Sequence, residues 1–255
     1  MNQLTELFGL EGKLAIITGA SRGLGRAAAI ALNGAGARVV LVGRDAESLD
    51  ETKNLLRYPE SSHILEADVT VSNDRDRVIA SSVLDFGKID ILVNNAGIIR
   101  RAPAIDYSET DWDEVIETNL TTVFHWSQDI AKIMMKMGGG KIINIASLLS
   151  FSGGVSAVAY AVAKGGVAQL TKALANEWAK HTINVNAIAP GYFITNATEA
   201  LRKNDERREH VLSRIPAGRF GEPNELAGAF IYLASPASDY MNGHIMTVDG
   251  GFNSY

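Results

Sequence analysis

Residues 14–25, LAIITGASRGLG, run from an apolar segment into a turn with glycines at 19, 23 and 25. An apolar strand feeding a glycine-rich turn that opens a helix is the entry to a dinucleotide-binding βαβ unit. Glycine tolerates positive φ and lets backbone N–H groups approach a pyrophosphate at the positive end of the helix dipole. The spacing is G-x-x-x-G-x-G rather than G-x-G-x-x-G, and glycine triplets also occur in plain structural turns. Position at the first strand-to-helix junction therefore carries the reading. The phosphate cradle is expected to comprise Gly19, Ser21, Arg22, Gly23, Leu24 and Gly25.

Outward from this turn, apolar β-rich runs recur at Val39 to Val42, Ile89 to Val93, Ile142 to Ile145, Val185 to Ile188 and Ile245 to Val248. A weaker one lies at His63 to Glu66. Helix-length segments separate most of them: Arg26 to Ala35, Asn73 to Phe86, Asp113 to Met137 and Ala157 to Lys180. Strands apolar on both faces, alternating with helices, predict an α/β fold: one doubly wound Rossmann domain with a seven-stranded, mostly parallel sheet covered on both sides. No composition shift or Pro-rich linker divides residues 1–255, and the polar stretch RKNDERREH (202–210) reads as a solvated helix face or part of a substrate-side lid around 192–215.

The 255 residues are 46% hydrophobic and contain no cysteine, which removes disulfides, thiolate nucleophiles and Cys-ligated metals together. No metal is expected at the site. The start, MNQLTELFGLEGK, has no signal-peptide pattern, and no apolar stretch approaches the roughly 20 residues that span a bilayer. The expectation is a cytoplasmic protein with no membrane partner. A net charge of −5 would repel a polyphosphate backbone, so nucleic acid is not an expected partner either.

The second strand ends in Gly43-Arg44-Asp45, and Arg44 lies nineteen residues past Gly25. In dinucleotide folds an acidic residue at this strand tip accepts a free ribose 2′-OH, whereas arginine accommodates a 2′-phosphate. Glycine takes the acidic position and arginine follows, with Arg22 as a second guanidinium, so NADP(H) is favoured over NAD(H). Asp45 is the counter-evidence, since a shift of one residue would make it the ribose acceptor. A plain solvated strand-end charge is the competing reading of Arg44.

The fifth strand runs into Ser147, and thirteen residues later comes Tyr160-Ala161-Val162-Ala163-Lys164. Residues four apart share a helix face, so Tyr160 and Lys164 can point together toward the serine. Bringing a tyrosine from pKa about 10 to near 7 takes roughly 4 kcal/mol. One cation about 4 Å away at an effective dielectric near 20 supplies about that much. Isolated YxxxK pairs are common on surfaces, but this one follows a strand-end serine and a nucleotide loop.

In order and spacing, TGASRGLG, Asp68-Val69, NNAG (94–97), Asn119, Ser147, YxxxK (160–164) and PGYFIT (190–195) make the chain resemble the short-chain dehydrogenase/reductase family over essentially its whole length. The resemblance implies catalysis by Asn119, Ser147, Tyr160 and Lys164. Tyr160 would transfer the proton, Lys164 would lower its pKa and hold the nicotinamide ribose, and Ser147 would orient the substrate oxygen. Asn119 would hold a water linking Lys164 to solvent. Cofactor contacts implied in the same way are Asp68 and Val69 at adenine, Asn95, Ala96 and Gly97 at the adenosine-side ribose, and Pro190, Gly191, Phe193 and Thr195 at the nicotinamide side. Read from the residues alone, Asn94 is a structural tie between strands, and Asn119 has a competing reading as a polar residue satisfied inside a helix interface.

NNAGIIRRAPAIDYSETDWDEVI and NEWAKHTINVNAIAPGYFITNATEAL further resemble sugar-acid dehydrogenases of this family, the 2-dehydro-3-deoxy-D-gluconate 5-dehydrogenase and gluconate 5-dehydrogenase groups. A small-molecule sugar acid is an anion, and burying it demands a cation or several donors. Arg100 and Arg101, just beyond the NAG turn, are the candidates, with Ser147, Tyr192, Asn196 and, more weakly, Arg219 beside them. The alternative is that one or both arginines pair with acidic neighbours such as Asp106 or Glu109, or face a neighbouring subunit. Two further functional readings stand beside the sugar-acid one: a 3-oxoacyl or other ketone reductase, and a non-catalytic nucleotide-sensing regulator. The family resemblance also implies a homotetramer.

Overall fold

Side-chain alternation along β1 (Leu14–Thr18) sets the layering. Ala15 and Ile17 enter one core cluster while Leu14 and Ile16 enter another on the opposite face, as successive residues of a strand must. The structure is a computed structural model and describes residues 3–254. The remaining strands are β2 (Arg38–Gly43), β3 (Ser62–Glu66), β4 (Ile91–Asn94), β5 (Gly140–Ile145), β6 (Ile183–Pro190) and β7 (Ile245–Val248). They form one seven-stranded sheet in the order β3-β2-β1-β4-β5-β6-β7, and every pairing is parallel, including the β6–β7 edge pair. The sheet is thus wholly rather than mostly parallel.

The helices are α1 (Gln3–Phe8), α2 (Gly23–Gly34), α3 (Ala46–Asn54), α4 (Ser72–Phe86), α5 (Glu109–Ile116), α6 (Thr122–Met137), α7 (Val158–Trp178), α8 (Asn196–Arg202), α9 (Asp205–Leu212) and α10 (Ala227–Ala234). Ala28 and Leu32 of α2 with Phe230 and Leu233 of α10 close one face of the sheet; Trp126 and Ile130 of α6 with Leu174 and Trp178 of α7 close the other. Because both faces are covered, β1, β4 and β6 are buried along their whole lengths. The chain winds outward from β1 to β3, returns to β4 and winds the other way. The crevice between the C-terminal ends of β1 and β4 is where such sheets take ligands. Among the described residues no helix is long and apolar enough to cross a membrane.

One predicted helix is interrupted. Asp113 to Met137 is not continuous: α5 gives way to a π-turn over Glu117–Thr121, closed by Thr122 N–H donating to the Glu117 carbonyl, before α6 begins. The polar stretch 202–210 is largely helical, with the Asn204 side chain capping α9 by accepting from Arg207 N–H at 2.9 Å.

Candidate active site

The glycine turn stands at the C-terminal end of β1. Gly19 and Gly23 have φ of +64° and +57°, a region that side chains disfavour. At Gly19 a Cβ would also lie 2.9 Å from the Ala96 Cα, and at Gly25 it would collide with the Gly19 carbonyl. These are closely packed backbones, and only glycine fits them. Thr18 ties the two turns together: its hydroxyl donates to the Val93 carbonyl and accepts the N–H groups of Asn95 and Ala96 at 3.0 and 3.1 Å. The Asn95 amide donates to the carbonyls of Thr18 and Gly19, both at 3.0 Å, so it serves the loop.

A cleft of about 570 Å³ opens above these turns. Its walls include Gly19, Ser21, Arg22, Gly23, Leu24, Arg44, Asp68, Val69, Asn95, Ala96, Gly97 and Thr195, twelve residues expected from the sequence to hold a dinucleotide. A concave site with backbone N–H groups at a helix N-terminus and guanidiniums at one end fits a pyrophosphate-linked dinucleotide.

At the β2 end the structure separates Arg44 from Asp45. Asp45 caps α3: its carboxylate accepts the Ser48 N–H at 3.3 Å and the Ser48 hydroxyl at 2.6 Å. Those Ser48 bonds hold its pKa below the ordinary carboxylate value. Asp45 thus serves as a helix cap and does not line the cleft, whereas Arg44 and Arg22 do.

Ser147 lies just past β5 as the N-cap of a short 3₁₀ turn, its hydroxyl accepting the Leu149 N–H at 3.1 Å. Tyr160, on the first turn of α7, lies close enough for the Ser147 hydroxyl to favour its ionised form. Lys164, one turn further, is buried; its ammonium donates to the Ile145 carbonyl at 2.5 Å and lies 5.7 Å from the Tyr160 ring centre. Ser150 completes the link by donating to the Lys164 carbonyl at 2.6 Å. The serine, tyrosine and lysine are thus brought together as expected, but the charges differ from the expectation. Burial pushes Tyr160 above its ordinary value, opposed by the Ser147 hydroxyl and the positive charge of Arg101; burial pushes Lys164 down to about 8. The Lys164 ammonium lies against the Tyr160 ring, and the Arg101 charge also reaches that tyrosine.

Asn119 sits fully buried on the π-turn, with its Oδ1 accepting the Ile98 N–H at 2.9 Å and its Nδ2 donating to the Ile98 carbonyl at 2.7 Å. Its side chain is satisfied inside the interface. The π-turn is a local departure from α-helical bonding of the kind often found at functional sites.

Comparison with known proteins agrees with this geometry. The family model described as enoyl-(acyl carrier protein) reductase matches residues 19–253. The chain is 48% identical over 246 residues to a 2-dehydro-3-deoxy-D-gluconate 5-dehydrogenase from Dickeya dadantii, covering 96% of this chain and 97% of that one. The chain belongs to the short-chain dehydrogenase/reductase family. Two solved structures are close in shape. One, from Agrobacterium tumefaciens with NADP bound, is 49% identical with a TM-score of 0.90, covering 97% of this chain and 99% of that one. The other, a gluconate 5-dehydrogenase from Burkholderia cenocepacia in complex with NADP and tartrate, is 39% identical with a TM-score of 0.94, covering 99% and 100%. This short-chain dehydrogenase is an NAD(P)-dependent enzyme acting on an alcohol or carbonyl group.

On the substrate side the dehydrogenase departs from several sequence expectations. Arg100 takes the alternative reading, pairing with acidic neighbours, here Glu114 at 3.0 Å and Asp111 at 3.4 Å, and it lines the nucleotide cleft. Arg101 is exposed and makes no ion pair among the described residues. Arg219 is paired with Glu225 through two contacts of 2.7 Å. Tyr192 is half-buried against Phe220 and Phe252, and Asn196 lines the nucleotide cleft beside Thr195 rather than a separate substrate pocket. Phe193, expected at the nicotinamide side, is buried in the core, so only its backbone is available there. Gly191 is fixed by its N–H bond to Val248 and by Asp249, which leaves no room for a Cβ. Sequence reasoning missed Thr18 and Arg26, whose guanidinium binds the Ser21 carbonyl, Thr52 and Glu51 and so anchors the glycine turn to α3. Arg26 follows Gly25 directly, but Glu51 and Thr52 lie 25 and 26 residues away in sequence and no local pattern reveals them.

Proposed function

We propose that this dehydrogenase interconverts a secondary alcohol and a ketone on a sugar acid such as 2-dehydro-3-deoxy-D-gluconate or gluconate, with Tyr160 as general acid/base and NADP(H) preferred. The observation that carries the chemistry is that Tyr160 and the buried Lys164 share one face of α7, the Lys164 ammonium lying 5.7 Å from the Tyr160 ring centre and donating to the Ile145 carbonyl at the strand end that leads to Ser147. In the oxidative direction Tyr160, as phenolate, takes the proton of the substrate hydroxyl while Ser147 holds that oxygen, and the substrate carbon gives up a hydride. The nicotinamide, when bound, supplies the hydride acceptor. Lys164 holds positive charge beneath the tyrosine. Gly19 to Gly25, Asp68, Val69, Asn95 to Gly97 and Thr195 would hold the dinucleotide.

The NADP preference is supported by Arg22 and Arg44 in the cleft wall and by the commitment of Asp45 to Ser48. The sugar-acid reading is supported by the names of the relatives and by an unpaired Arg101 whose charge is felt at Tyr160. Tartrate, a hydroxy dicarboxylate, accompanies NADP in the Burkholderia cenocepacia relative. Residues 192–215 act in this reading as a substrate-side lid, supported by a small cluster of Val211, Ile215, Phe220 and Phe252 separate from the sheet core. The enzyme works as a cytoplasmic homotetramer; exposed Met135 and Met137 on α6 and Val162 on α7 support an assembly over those helices.

A sugar-acid and simple-ketone panel assayed with NADP and NAD tests the whole reading. Turnover is expected to be highest with a carboxylated sugar and NADP. Tyr160→Phe should lower kcat about 10²- to 10⁴-fold, the range of general acid/base contributions, with cofactor affinity retained. Near-normal turnover of that variant would remove Tyr160 from the mechanism, and nucleotide binding without turnover on any substrate would favour a sensing role.

A further inference from the structure

We propose that Asp68 is a latch for Arg44, and that the pair sets how strongly the adenosine end of the cleft favours a 2′-phosphate. This deepens the NADP reading above and rests on it.

Sheet register creates the pair. Gly43 of β2 is opposite Glu66 of β3, and Ala67 N–H donates to the Gly43 carbonyl at 2.8 Å, so Arg44 and Asp68 leave neighbouring strand ends on the rim of the same cleft. An Arg44 Nη1 lies 3.5 Å from Asp68 Oδ2. The two partners are held very differently. Asp68 is fixed: its N–H donates to Asp74 Oδ2 at 2.9 Å, and its Oδ1 accepts the Thr70 N–H at 3.0 Å and the Thr70 hydroxyl at 2.7 Å. Thr70 occupies one carboxylate oxygen and leaves the other facing Arg44. Arg44 is 74% exposed, and Asp68 is its one ion-pair partner among the described residues.

A guanidinium held by a carboxylate is partly neutralised toward any incoming anion. A 2′-phosphate must compete with Asp68 for Arg44, whereas a free 2′-OH has little to gain from it. Arg22, in the same cleft wall, has no ion pair among the described residues. The latch therefore tempers the discrimination that Arg44 would otherwise give, leaving room for NAD(H). Burial works to raise the Asp68 carboxyl, but the Thr70 hydrogen bonds and the Arg44 charge outweigh it and keep the group ionised at neutral pH, as the latch requires.

The test is calorimetric binding of 2′,5′-ADP and 5′-AMP to the full chain, with the ratio of their dissociation constants as the readout. Loss of any adenine contact to Asp68 affects both probes alike and cancels in the ratio. Asp68→Asn keeps Oδ1 for Thr70 and removes the negative charge. The preference for 2′,5′-ADP should rise about two- to fivefold, the range set by exposed ion pairs. In an Arg44→Ala background the same change should leave the ratio unaltered, because the coupling partner is gone. A wild type that prefers 2′,5′-ADP, with a ratio unchanged or lowered by Asp68→Asn, overturns the latch alone. An equal rise with and without Arg44 does the same, since Arg44 would then not be the partner. A wild type indifferent to the 2′-phosphate overturns the NADP reading and the latch with it.

Discussion

Asn119 holds Ile98 by both of its backbone polar groups, accepting the N–H at 2.9 Å and donating to the carbonyl at 2.7 Å. The segment that leaves β4 past the NAG turn is therefore hung on a single side chain of the π-turn between α5 and α6. Removing one partner of a buried hydrogen bond leaves the other to bear the desolvation cost. Asn119→Ala is expected to lose about 2 kcal/mol in urea denaturation and to weaken nucleotide binding, because Gly97 also sits against the Asn119 Oδ1. Asn119→Asp keeps the acceptor but sets a buried carboxylate oxygen against the Ile98 carbonyl, so it should lose at least as much. Wild-type stability in both variants would show that the contact contributes nothing.

Lys164 should make the enzyme less stable than it could be. Burial pushes its pKa down from 10.5 to about 8. Below pH 8 both folded and unfolded chains carry the proton and the burial penalty is complete, on the order of 3 kcal/mol. Between about pH 8 and 10.5 the folded state has shed its proton while the unfolded state retains it, so this penalty fades as pH rises. Lys164→Met should thus be inactive yet more stable at pH 7, with the Tm advantage shrinking toward pH 10. An advantage that is constant across that range would refute the assignment.

What the sequence made legible follows from burial. β1, β4, β5 and β6 are covered on both faces and announce themselves as apolar runs, while β3 at the sheet edge is half exposed and reads weakly. Helix α3 escaped notice because only Leu49 and Thr52 are buried on it, and α10 because AGAFIYLA is apolar nearly all round and shows no helical period. The serine, tyrosine and lysine were legible because a strand end and one helical turn fix their spacing. The partners of Arg100, Asp45 and Arg219 were not, since which carboxylate a flexible guanidinium or helix end takes depends on tertiary placement. Asp45 shows the point: a cap at the start of α3 and a ribose acceptor look the same in sequence until the helix is located.

Asn94 bears out its reading as a strand tie. Its amide donates to Asn144 Oδ1 and to the Ser127 hydroxyl, both at 2.9 Å, and Asn144 donates on to Thr171 at 3.0 Å. The network is fully buried and links β4, β5, α6 and α7 beneath the site. Asn144→Leu would leave the Asn94 amide and the Thr171 hydroxyl short of partners in a low-dielectric interior, at a cost of roughly 2–4 kcal/mol. Urea denaturation should show that loss, while KM for nucleotide changes little if the protein is assayed well below its melting temperature. A change in KM without a change in stability would place Asn94 and Asn144 in the binding machinery instead.

Arg100 and Arg101 are neighbours in sequence with opposite commitments, and their variants should separate cleanly. Arg100 spends its charge on Glu114 and Asp111, contacts that are exposed and individually weak. Arg100→Ala should leave the sugar-acid KM within about threefold of wild type, since exposed pairs are worth under about 1 kcal/mol. Arg101 has no such partner and acts electrostatically on Tyr160. Arg101→Ala should raise KM for a carboxylated sugar about 10- to 100-fold, the equivalent of one lost charge-assisted hydrogen bond, and leave a neutral ketone of similar size nearly unaffected. It should also act on the pH profile. The Arg101 charge favours the tyrosinate, so its removal raises the Tyr160 pKa and moves the rising limb of kcat/KM for alcohol oxidation to higher pH. Arg101→Lys should restore the pH limb more fully than the KM, because a point charge replaces the field of the guanidinium but not its forked geometry. Equal KM effects on charged and neutral substrates would rule out carboxylate binding at Arg101.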